Sequence, residues 1–233
     1  MRKKYPRTFH LPFSPGVQSD DKVIQDLSSF ENEDIVITEK MDGENTTIYC
    51  DGFHARSLDS SYNFTRAWIK RLQEGICHDI PKDWRLCGEN VSYFHSIEYN
   101  NLDSFFYLFS VWNEKNECLS WDETIEWAEL LDLSMPKTFY RGTFDLQKIK
   151  EIAKNINTQT TEGFIVRKTK SFSYDDFSVN LIKWVREGHV TTDKHWLKNT
   201  YPNKLLNPFH VKPLFMSQIK NENRNYCYQA EGP

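Results

Sequence analysis

The chain has 233 residues, of which 39% are hydrophobic and 27% charged, and its formal net charge is −4 at pH 7. This composition is typical of a globular domain and excludes a fibrous or disordered protein. The acidic balance argues against a protein that coats nucleic acid over its whole surface, although a local basic groove can still bind phosphate.

The cysteines and the apolar runs bear on location. The chain has five cysteines, an odd number, and none of them forms a C-x-x-C pair. This usage predicts neither a disulfide framework nor a zinc ribbon, and it favours a reducing, cytoplasmic setting. No apolar run has the length of a secretion signal or a membrane span, so we expect a protein that is neither secreted nor membrane-bound.

A basic lead-in and three strands open the chain. Residues 1–20 combine basic side chains with a turn-forming string from His10 to Gly16, which predicts an ordered, irregular segment whose charges face solvent. Residues 35–58 have the pattern of three strands, and Asp51-Gly52 predicts a tight hairpin between the last two.

A two-residue loop at Asp51-Gly52 would set the register of this hairpin. Thr47 would then lie opposite Arg56, with side chains alternating between the two faces. The residues predicted to share one face are Asn45, Thr47, His54, Arg56 and Leu58. The sequence therefore predicts that Asn45 and Arg56 look into the same space as the end of the preceding strand.

Helices and strands then follow one another. Apolar residues at helical spacing predict helices over 63–76 and 146–156, and a capping box of Ser120 and Glu123 opens a helix through about Leu133. Strands are predicted at 85–91, 105–112, 163–168 and 179–185.

The tail from residue 189 holds scattered apolar residues without a clear period. We predict a main domain over residues 1–188 and a small appendage over 189–233 packed onto it. The spacing of His189 and His195 does not fit one helix face, which favours packing or surface roles over metal binding.

The segment from Thr38 to Asn45 gives the first chemical signal. Lys40 follows an apolar strand and precedes a turn at Gly43, so its amine projects from a rigid base. Taken alone, Lys40 and Asp42 would be interpreted as solvated turn residues, and other parts of the chain must decide between these interpretations.

Three further charged segments follow in order: GE at 88–89, EGFIVR at 162–167 and LIKWVR at 181–186. Each is a weak signal alone, since a single glutamate usually marks an exposed strand end. Together with Lys40 they supply what phosphoryl transfer requires, namely a nucleophile, cations for the phosphate oxygens and carboxylates that hold a metal.

In this order the motifs resemble those of the covalent nucleotidyltransferases, and within them the phage-type ATP-dependent RNA ligases. The resemblance covers roughly residues 35–186. Lys40 in EKMDGEN matches the lysine that these enzymes adenylylate, and Asn45 matches the asparagine that follows it. Arg56 in HARS matches the arginine of the next motif.

The later motifs extend the resemblance. Glu89 in CGEN matches the third motif, and Phe109 in FYLF matches the aromatic residue that stacks on adenine. Glu162 in EGFIVRK matches the fourth motif, and Lys183 in IKWVR matches the fifth.

Two positions depart from the family pattern. Phage-type relatives have a second lysine where this chain has Val185, followed by Arg186, so Lys183 and Arg186 are both candidate contacts for the α-phosphate. The family also usually has an aspartate directly after the stacking aromatic residue, whereas this chain has Ser110.

The resemblance implies an α+β fold, a nucleotidyltransferase (adenylation) domain of antiparallel sheets flanked by helices with an ATP-grasp-like ligase core. It implies an enzyme that uses ATP with Mg²⁺ or Mn²⁺, forms a lysyl-AMP at Lys40, passes AMP to an RNA 5′-phosphate and seals it to a 3′-OH in RNA repair. An end-healing kinase or phosphatase is a candidate partner. Residues 186–233 are too few for the OB domain of DNA ligases and capping enzymes, which favours an RNA ligase.

The resemblance also assigns roles to single residues. The nucleotide-binding candidates are Glu39, Lys40, Asn45, Arg56, Glu89, Phe109, Glu162, Lys183 and Arg186. Glu89 and Glu162 are the metal-binding candidates, because oxygen ligands suit magnesium. Nearby cations, namely a metal ion, Arg56 and Lys183, would disfavour the ammonium form of Lys40 and so prepare it for attack. Phe109 can stack on a base only if its face of the strand points toward Lys40; otherwise it is a core residue.

Three alternatives stay open: a DNA ligase, a GTP-using capping-type transferase and a catalytically silent module that binds RNA ends. Covalent label from GTP alone would indicate the capping type. Absence of any adduct that depends on Lys40 would indicate the silent module. The sequence does not choose among nicked duplex, tRNA break and single-stranded RNA as the substrate.

Overall fold

A computed structural model describes residues 1–59, 63–188 and 201–207. The strands in these ranges are β1 (Phe9–His10), β2 (Asp34–Lys40), β3 (Glu44–Tyr49), β4 (Gly52–Ala55), β5 (Arg85–Asn90), β6 (Phe106–Trp112), β7 (Glu117–Cys118), β8 (Thr138–Thr143), β9 (Gly163–Lys168), β10 (Phe172–Ser173) and β11 (Leu181–Val185). The α-helices are α1 (Ala67–Ile76), α2 (Trp121–Leu130), α3 (Leu146–Asn155) and the one-turn α4 (Phe177–Asn180).

The strands form two sheets. The first has the order β1-β11-β9-β2-β8 and the second β10-β7-β6-β5-β3-β4. Neighbouring strands are antiparallel, except that β1 runs parallel to β11. This arrangement confirms the predicted α+β class with antiparallel sheets and few helices.

Each sheet buries one face against helices. Alternating residues of β2, such as Ile35 and Ile37, pack with Ile149 of α3 and Phe164 of β9 in the core of the first sheet. The second sheet packs in the same way against α1 and α2, with Ile69 and Ala128 in its core. The opposite faces of the two sheets are left to build the site.

Most of the predicted elements are present, with shifted ends. The helix predicted over 63–76 begins with a 3-10 turn at Phe64–Arg66 and continues as α1. Ser120 and Glu123 form the predicted capping box of α2, which ends at Leu130. The strand predicted from residue 179 begins only at Leu181, because the preceding residues form α4.

Strand β8 was not predicted. It pairs with one edge of β2, and most of its residues are exposed or half-buried. An edge strand of this kind lacks the apolar run or the clear alternation from which strands are recognised.

The predicted hairpin is present, but its predicted register is wrong. Tyr49 pairs with Gly52 and Thr47 with His54, so the loop consists of residues 50–51 and Thr47 does not face Arg56. Gly52 has a φ of +139°, a backbone conformation that favours glycine. Because the register differs by two residues, each side chain keeps its face.

The N-terminal segment, residues 1–33, has the exposed charges predicted at Lys4 and Arg7, but other parts of it contact both sheets. The Arg2 guanidinium is paired with Asp51 on the hairpin at 3.0 Å, and the Lys3 amide donates to the Tyr49 hydroxyl at 3.0 Å. Further on, the Leu11 amide donates to the carbonyl of Lys183 at 2.7 Å. The segment therefore runs from the second sheet to the first.

Most of the predicted appendage lies outside the described residues, including His189 and His195, and the proposed boundary at residue 188 stays a prediction. Residues 201–207 are described and pack against residues 91–102, the segment that follows β5. The Asn203 side chain donates to the carbonyl of Val91 at 2.9 Å and accepts from the amide of Tyr99 at 3.1 Å. None of the helices in the described residues has the length and hydrophobicity of a membrane span.

Candidate active site

The two sheets enclose a cavity of about 460 Å³, a size typical of small-molecule sites. Its lining includes eight residues that the sequence predicted for a nucleotide site: Glu39, Lys40, Asn45, Arg56, Glu89, Phe109, Glu162 and Lys183. Residues far apart in the chain thus meet at one concave surface. Arg186 is the predicted site residue that does not line this cavity.

Lys40 reaches the cavity from the end of β2. It lies opposite Gly163, the first residue of β9, and its Nζ donates a hydrogen bond to the carboxylate of Glu162. A Cβ on Gly163 would come within 2.0 Å of the Trp184 carbonyl oxygen, so only glycine allows β9 to approach β11 here. Sheet pairing and this close approach together set the Lys40–Glu162 pair.

The charge state of Lys40 differs from the prediction. Burial alone would lower the pKa of Lys40, but the negative charges of Glu162 and Glu89 outweigh burial, and the pKa is raised. Arg56 and Lys183 therefore do not disfavour the ammonium form enough to outweigh the carboxylates, and the effect of a metal ion stays a prediction. Here Lys40 is an ammonium held by carboxylates.

The two predicted metal-binding glutamates both line the cavity and both act electrostatically on Lys40. Burial raises the pKa of Glu89 to about 8, with Lys40 opposing the rise and Glu162 adding to it. Burial also raises the pKa of Glu162, again with Lys40 opposing. Glu162 is buried and Glu89 is half-buried, and a cation that binds beside them would favour the ionised form of both.

The donor set fits a loosely held divalent ion better than a protein cage. Within residues 1–59, 63–188 and 201–207, no group of three or more His, Cys, Asp or Glu side chains is arranged to hold a metal. Glu89 and Glu162 would supply two carboxylates, leaving the other positions to water and phosphate. Mg²⁺ is usually bound in this manner.

Asp42 is not the solvated turn residue that the isolated motif suggested. Its side chain is buried, and its Oδ2 accepts hydrogen bonds from the amides of Ser96 and Ile97 at 2.7 Å each. The Asp42 amide donates to the Tyr99 hydroxyl at 3.0 Å. Asp42 thus anchors the loop after β5 and fixes the turn that follows Lys40.

Phe109 reaches the cavity through a β-bulge. Gly88 of β5 pairs with Leu108 and Cys87 pairs with Ser110, which leaves Phe109 as the extra residue on β6. The carbonyl of Phe109 accepts from Nη1 of Arg167 at 3.1 Å. Bulges of this kind often re-aim a side chain beside a functional site. Phe109 therefore lies on the side of β6 that faces the cavity of Lys40, which is the condition that stacking on a base requires.

Ser110, where the family has an aspartate, points elsewhere. Its Oγ accepts from the indole Nε1 of Trp112 at 3.0 Å, and the residue is buried. Ser110 therefore stabilises the strand and does not contribute a charge to the cavity.

The two candidate cations near the last motif separate in space. Lys183 lines the cavity, whereas Nη2 of Arg186 donates to Oγ of Ser96 at 3.0 Å. Burial lowers the pKa of Lys183, which Asp21 opposes and Lys40 reinforces. Of the two, Lys183 is the better placed for phosphate, and the role of Arg186 stays a prediction.

Asn45 and Arg56 share the cavity, as the hairpin predicted. In the described part of the protein, Oδ1 of Asn45 is buried without a hydrogen-bond partner. A buried acceptor of this kind is costly unless a ligand or water satisfies it, so a ligand donor such as a ribose hydroxyl would fit here. Glu39 also borders the cavity, and burial raises its pKa against the opposing charge of Lys137.

Several cavity residues were missed from the sequence. The N-terminal segment contributes a continuous wall and one carboxylate: Tyr5, Pro6, Arg7, Thr8 and Asp21. The Tyr5 ring contacts Phe109 edge-on with ring centroids 5.3 Å apart. Arg167 also lines the cavity and lies inside the EGFIVRK motif, a signal that could have identified it. No local pattern marks the N-terminal residues.

Comparison with known proteins gives a consistent result. A family model described as RNA ligase matches residues 33–185. No curated protein sequence matches the chain. Among solved structures, an archaeal ATP-dependent RNA ligase is 16% identical with a TM-score of 0.54, over 79% of this chain and 48% of that one.

Two further structures show the same fold. A variant of the Naegleria gruberi RNA ligase solved with ATP and Mn is 16% identical with a TM-score of 0.51, over 79% of this chain and 60% of that one. A candidate ATP-dependent DNA ligase from Aquifex aeolicus is 22% identical with a TM-score of 0.52, over 78% of this chain and 50% of that one. The chain spans about half the length of the first solved structures it matches.

Proposed function

The chain belongs to the RNA ligase family, and on that premise we propose that its cavity uses ATP to form a covalent lysyl-AMP on Lys40 and to seal RNA. The observation that carries the proposal is the position of the Lys40 amine. It sits at the end of a rigid strand, bonded to Glu162, in a cavity that also presents the cations Arg56 and Lys183.

Formation of the adduct requires a neutral amine. Nζ of Lys40 would form a bond to the α-phosphorus of ATP, the bond from that phosphorus to the bridging oxygen would break, and pyrophosphate would leave. Because Glu162 and Glu89 raise the pKa of Lys40, a ligand that draws their charge to itself would help the amine lose its proton. A bound Mg²⁺ or Mn²⁺ would supply the positive charge that attracts these two carboxylates, and it would polarise the phosphate oxygens.

Different residues of the chain would bind the base, the sugar and the phosphates of the nucleotide. Phe109 would stack on the base, an interaction typically worth about 1–3 kcal/mol. The buried Oδ1 of Asn45 would accept a hydrogen bond from a ribose hydroxyl. Lys183 and Arg56 would bind the phosphate oxygens on which charge develops, and such preorganised charge is usually a large part of catalysis.

The later steps are proposed from the family. AMP would pass from Lys40 to an RNA 5′-phosphate, and a 3′-OH would then displace AMP and close the strand. A role in RNA repair, a preference for Mg²⁺, an end-healing partner and the cytoplasmic location are predictions of the same standing.

A DNA ligase is the second candidate, and the fold shared with the Aquifex aeolicus protein favours keeping it. A capping-type enzyme would use GTP. A silent RNA-end-binding module is less favoured, since the cavity retains Lys40, Glu89, Glu162 and Lys183 together.

The test has two stages. The protein is first incubated with Mg²⁺ and either radiolabelled ATP or GTP; we expect a covalent adduct from ATP, and label from GTP alone would contradict the assignment. It is then offered nicked duplexes, tRNA breaks and single strands of RNA and of DNA with 5′-phosphate and 3′-OH ends. Sealing of DNA but not RNA would favour the second candidate.

A further inference from the structure

The Lys183 ammonium has a carboxylate beside it that none of the family-like motifs contains. Nζ of Lys183 lies 3.7 Å from Oδ1 of Asp21. The two side chains are each 15% exposed, and both line the cavity. Asp21 comes from the N-terminal segment, so a residue outside the motifs touches the cation best placed for phosphate.

Asp21 is itself held from behind. Its Oδ2 lies 3.1 Å from Nε2 of His10, which is fully buried, and accepts from the amide of Gln18 at 3.1 Å. Nδ1 of His10 lies 2.9 Å from Oγ of Ser14.

Ser14 closes this chain of contacts onto the strand that carries Lys183. Its Oγ accepts from the Val185 amide at 2.9 Å and donates to the Val185 carbonyl at 3.3 Å. His10 also pairs with Lys183 in the parallel β1–β11 register. The backbone of β11 and the carboxylate of Asp21 are thereby fixed relative to one another.

A second carboxylate competes for Lys183. Glu162 directly precedes β9, the strand next to β11; it already accepts from Lys40 and acts electrostatically on Lys183. If Asp21 were neutral, Lys183 would lose the partner that holds it apart from Glu162. The cavity would then have two lysines directed at one glutamate.

We propose that Asp21, held by His10 and Ser14, is a positioning residue that keeps the Lys183 ammonium on the cavity wall, ready for a nucleotide phosphate and apart from the Lys40–Glu162 pair. This inference rests on the proposed function, because it assigns Lys183 to the phosphate of ATP. It adds three residues of the N-terminal segment to the machinery.

The test is a double-mutant cycle. Its readout is the rate of adduct formation at saturating ATP, measured by intact-mass spectrometry over several hours. Asp21→Asn should lower this rate about tenfold, with a smaller change in the ATP concentration for half-maximal rate. In a Lys183→Ala background the same substitution should change the rate by less than about twofold, because its effect passes through Lys183. His10→Gln should also lower the rate of adduct formation, by less than Asp21→Asn does, and this effect too should nearly disappear in the Lys183→Ala background.

Asp26→Asn is the matched control, since Asp26 is an exposed carboxylate of the same segment that only bonds to Ser28; its rate should equal that of the wild type. Equal losses from Asp21→Asn in both backgrounds would overturn the positioning role, as would a wild-type rate in Asp21→Asn. Should Asp21→Asn fail to fold, shown by circular dichroism, the His10→Gln cycle decides in the same way. A wild-type protein that forms no adduct would instead overturn the proposed function, and the inference with it.

Discussion

Two lysine–carboxylate pairs face the same cavity and differ in nearly every physical respect. Lys40 and Glu162 are in direct hydrogen-bond contact, and the Glu162 side chain is only 6% exposed. Lys183 and Asp21 stand 3.7 Å apart. The pKa of Lys40 is raised because nearby carboxylates outweigh burial, whereas burial lowers the pKa of Lys183.

On the proposed mechanism, surroundings and not residue type would give each lysine its role. Lys40 is an ammonium among carboxylates, and its amine would become reactive when a ligand draws the charge of those carboxylates to itself. Lys183 is paired with Asp21, also feels the charge of Glu162, and is repelled by Lys40 and Arg56. An anion that binds between these cations would relieve that repulsion. One pair suits a nucleophile and the other suits a phosphate contact.

The largest expected effect is on adduct formation when each of the two lysines is replaced by arginine. Lys40→Arg should form no adduct, because a guanidinium stays protonated and cannot attack. Lys183→Arg should retain a measurable rate, because charge alone serves a phosphate contact. Intact mass after ATP and Mg²⁺ measures both, and an adduct on Lys40→Arg would refute the division of roles.

Removing the charge of Glu162 tests the first pair. Glu162→Gln should slow adduct formation about 100-fold, in line with losses of single electrostatic contacts in active sites. Glu33→Gln is the control, since Glu33 pairs with Lys170 at the surface and its loss should not change the rate. Equal rates for the two variants would mean that the contact with Lys40 has no part in the chemistry.

Phe109→Leu tests the bulge independently of both pairs. The loss of stacking should weaken ATP binding by about 1–3 kcal/mol, measured by calorimetry on a Lys40→Ala background that cannot react. The exposed Phe64→Leu substitution is the control for a general loss of aromatic surface. Unchanged affinity in Phe109→Leu would return Phe109 to the role of a core residue.

The smallest expected effect concerns how the N-terminal segment is held. Arg2 pairs with Asp51 at an exposed site and lies over the Tyr49 ring at 4.2 Å. Exposed ion pairs contribute about 0–1 kcal/mol, so Arg2→Ala should lower the free energy of unfolding in urea by no more than about 1 kcal/mol. A larger decrease in the free energy of unfolding would show that the segment is held mainly by the contacts of Arg2 with Asp51 and Tyr49 and not by its pairing with β11.

The motif side of the cavity could be predicted because its signals are local. Lys40 at a strand end and Glu162 before Gly163 each carry a short pattern, and strand pairing brings these patterns together. The two-residue error in the hairpin register did no harm, since it kept Asn45 and Arg56 on the predicted face.

The remaining features depend on contacts between distant parts of the chain. The bulge at Phe109 arises from how β5 pairs with β6, and the alternation of β6 alone does not reveal it. Asp21 and Tyr5 reach the cavity only because β1 pairs with β11, and two paired residues leave no periodic signal. The raised pKa of Lys40 likewise depends on carboxylates from three segments.

Peptide-level mass spectrometry of the protein after incubation with ATP and Mg²⁺ tests directly whether Lys40 is the nucleophile. We expect one AMP per chain, carried by the peptide that contains Lys40 and linked through its Nζ. No AMP on the wild-type protein, or AMP on another residue with Lys40 unmodified, would contradict it.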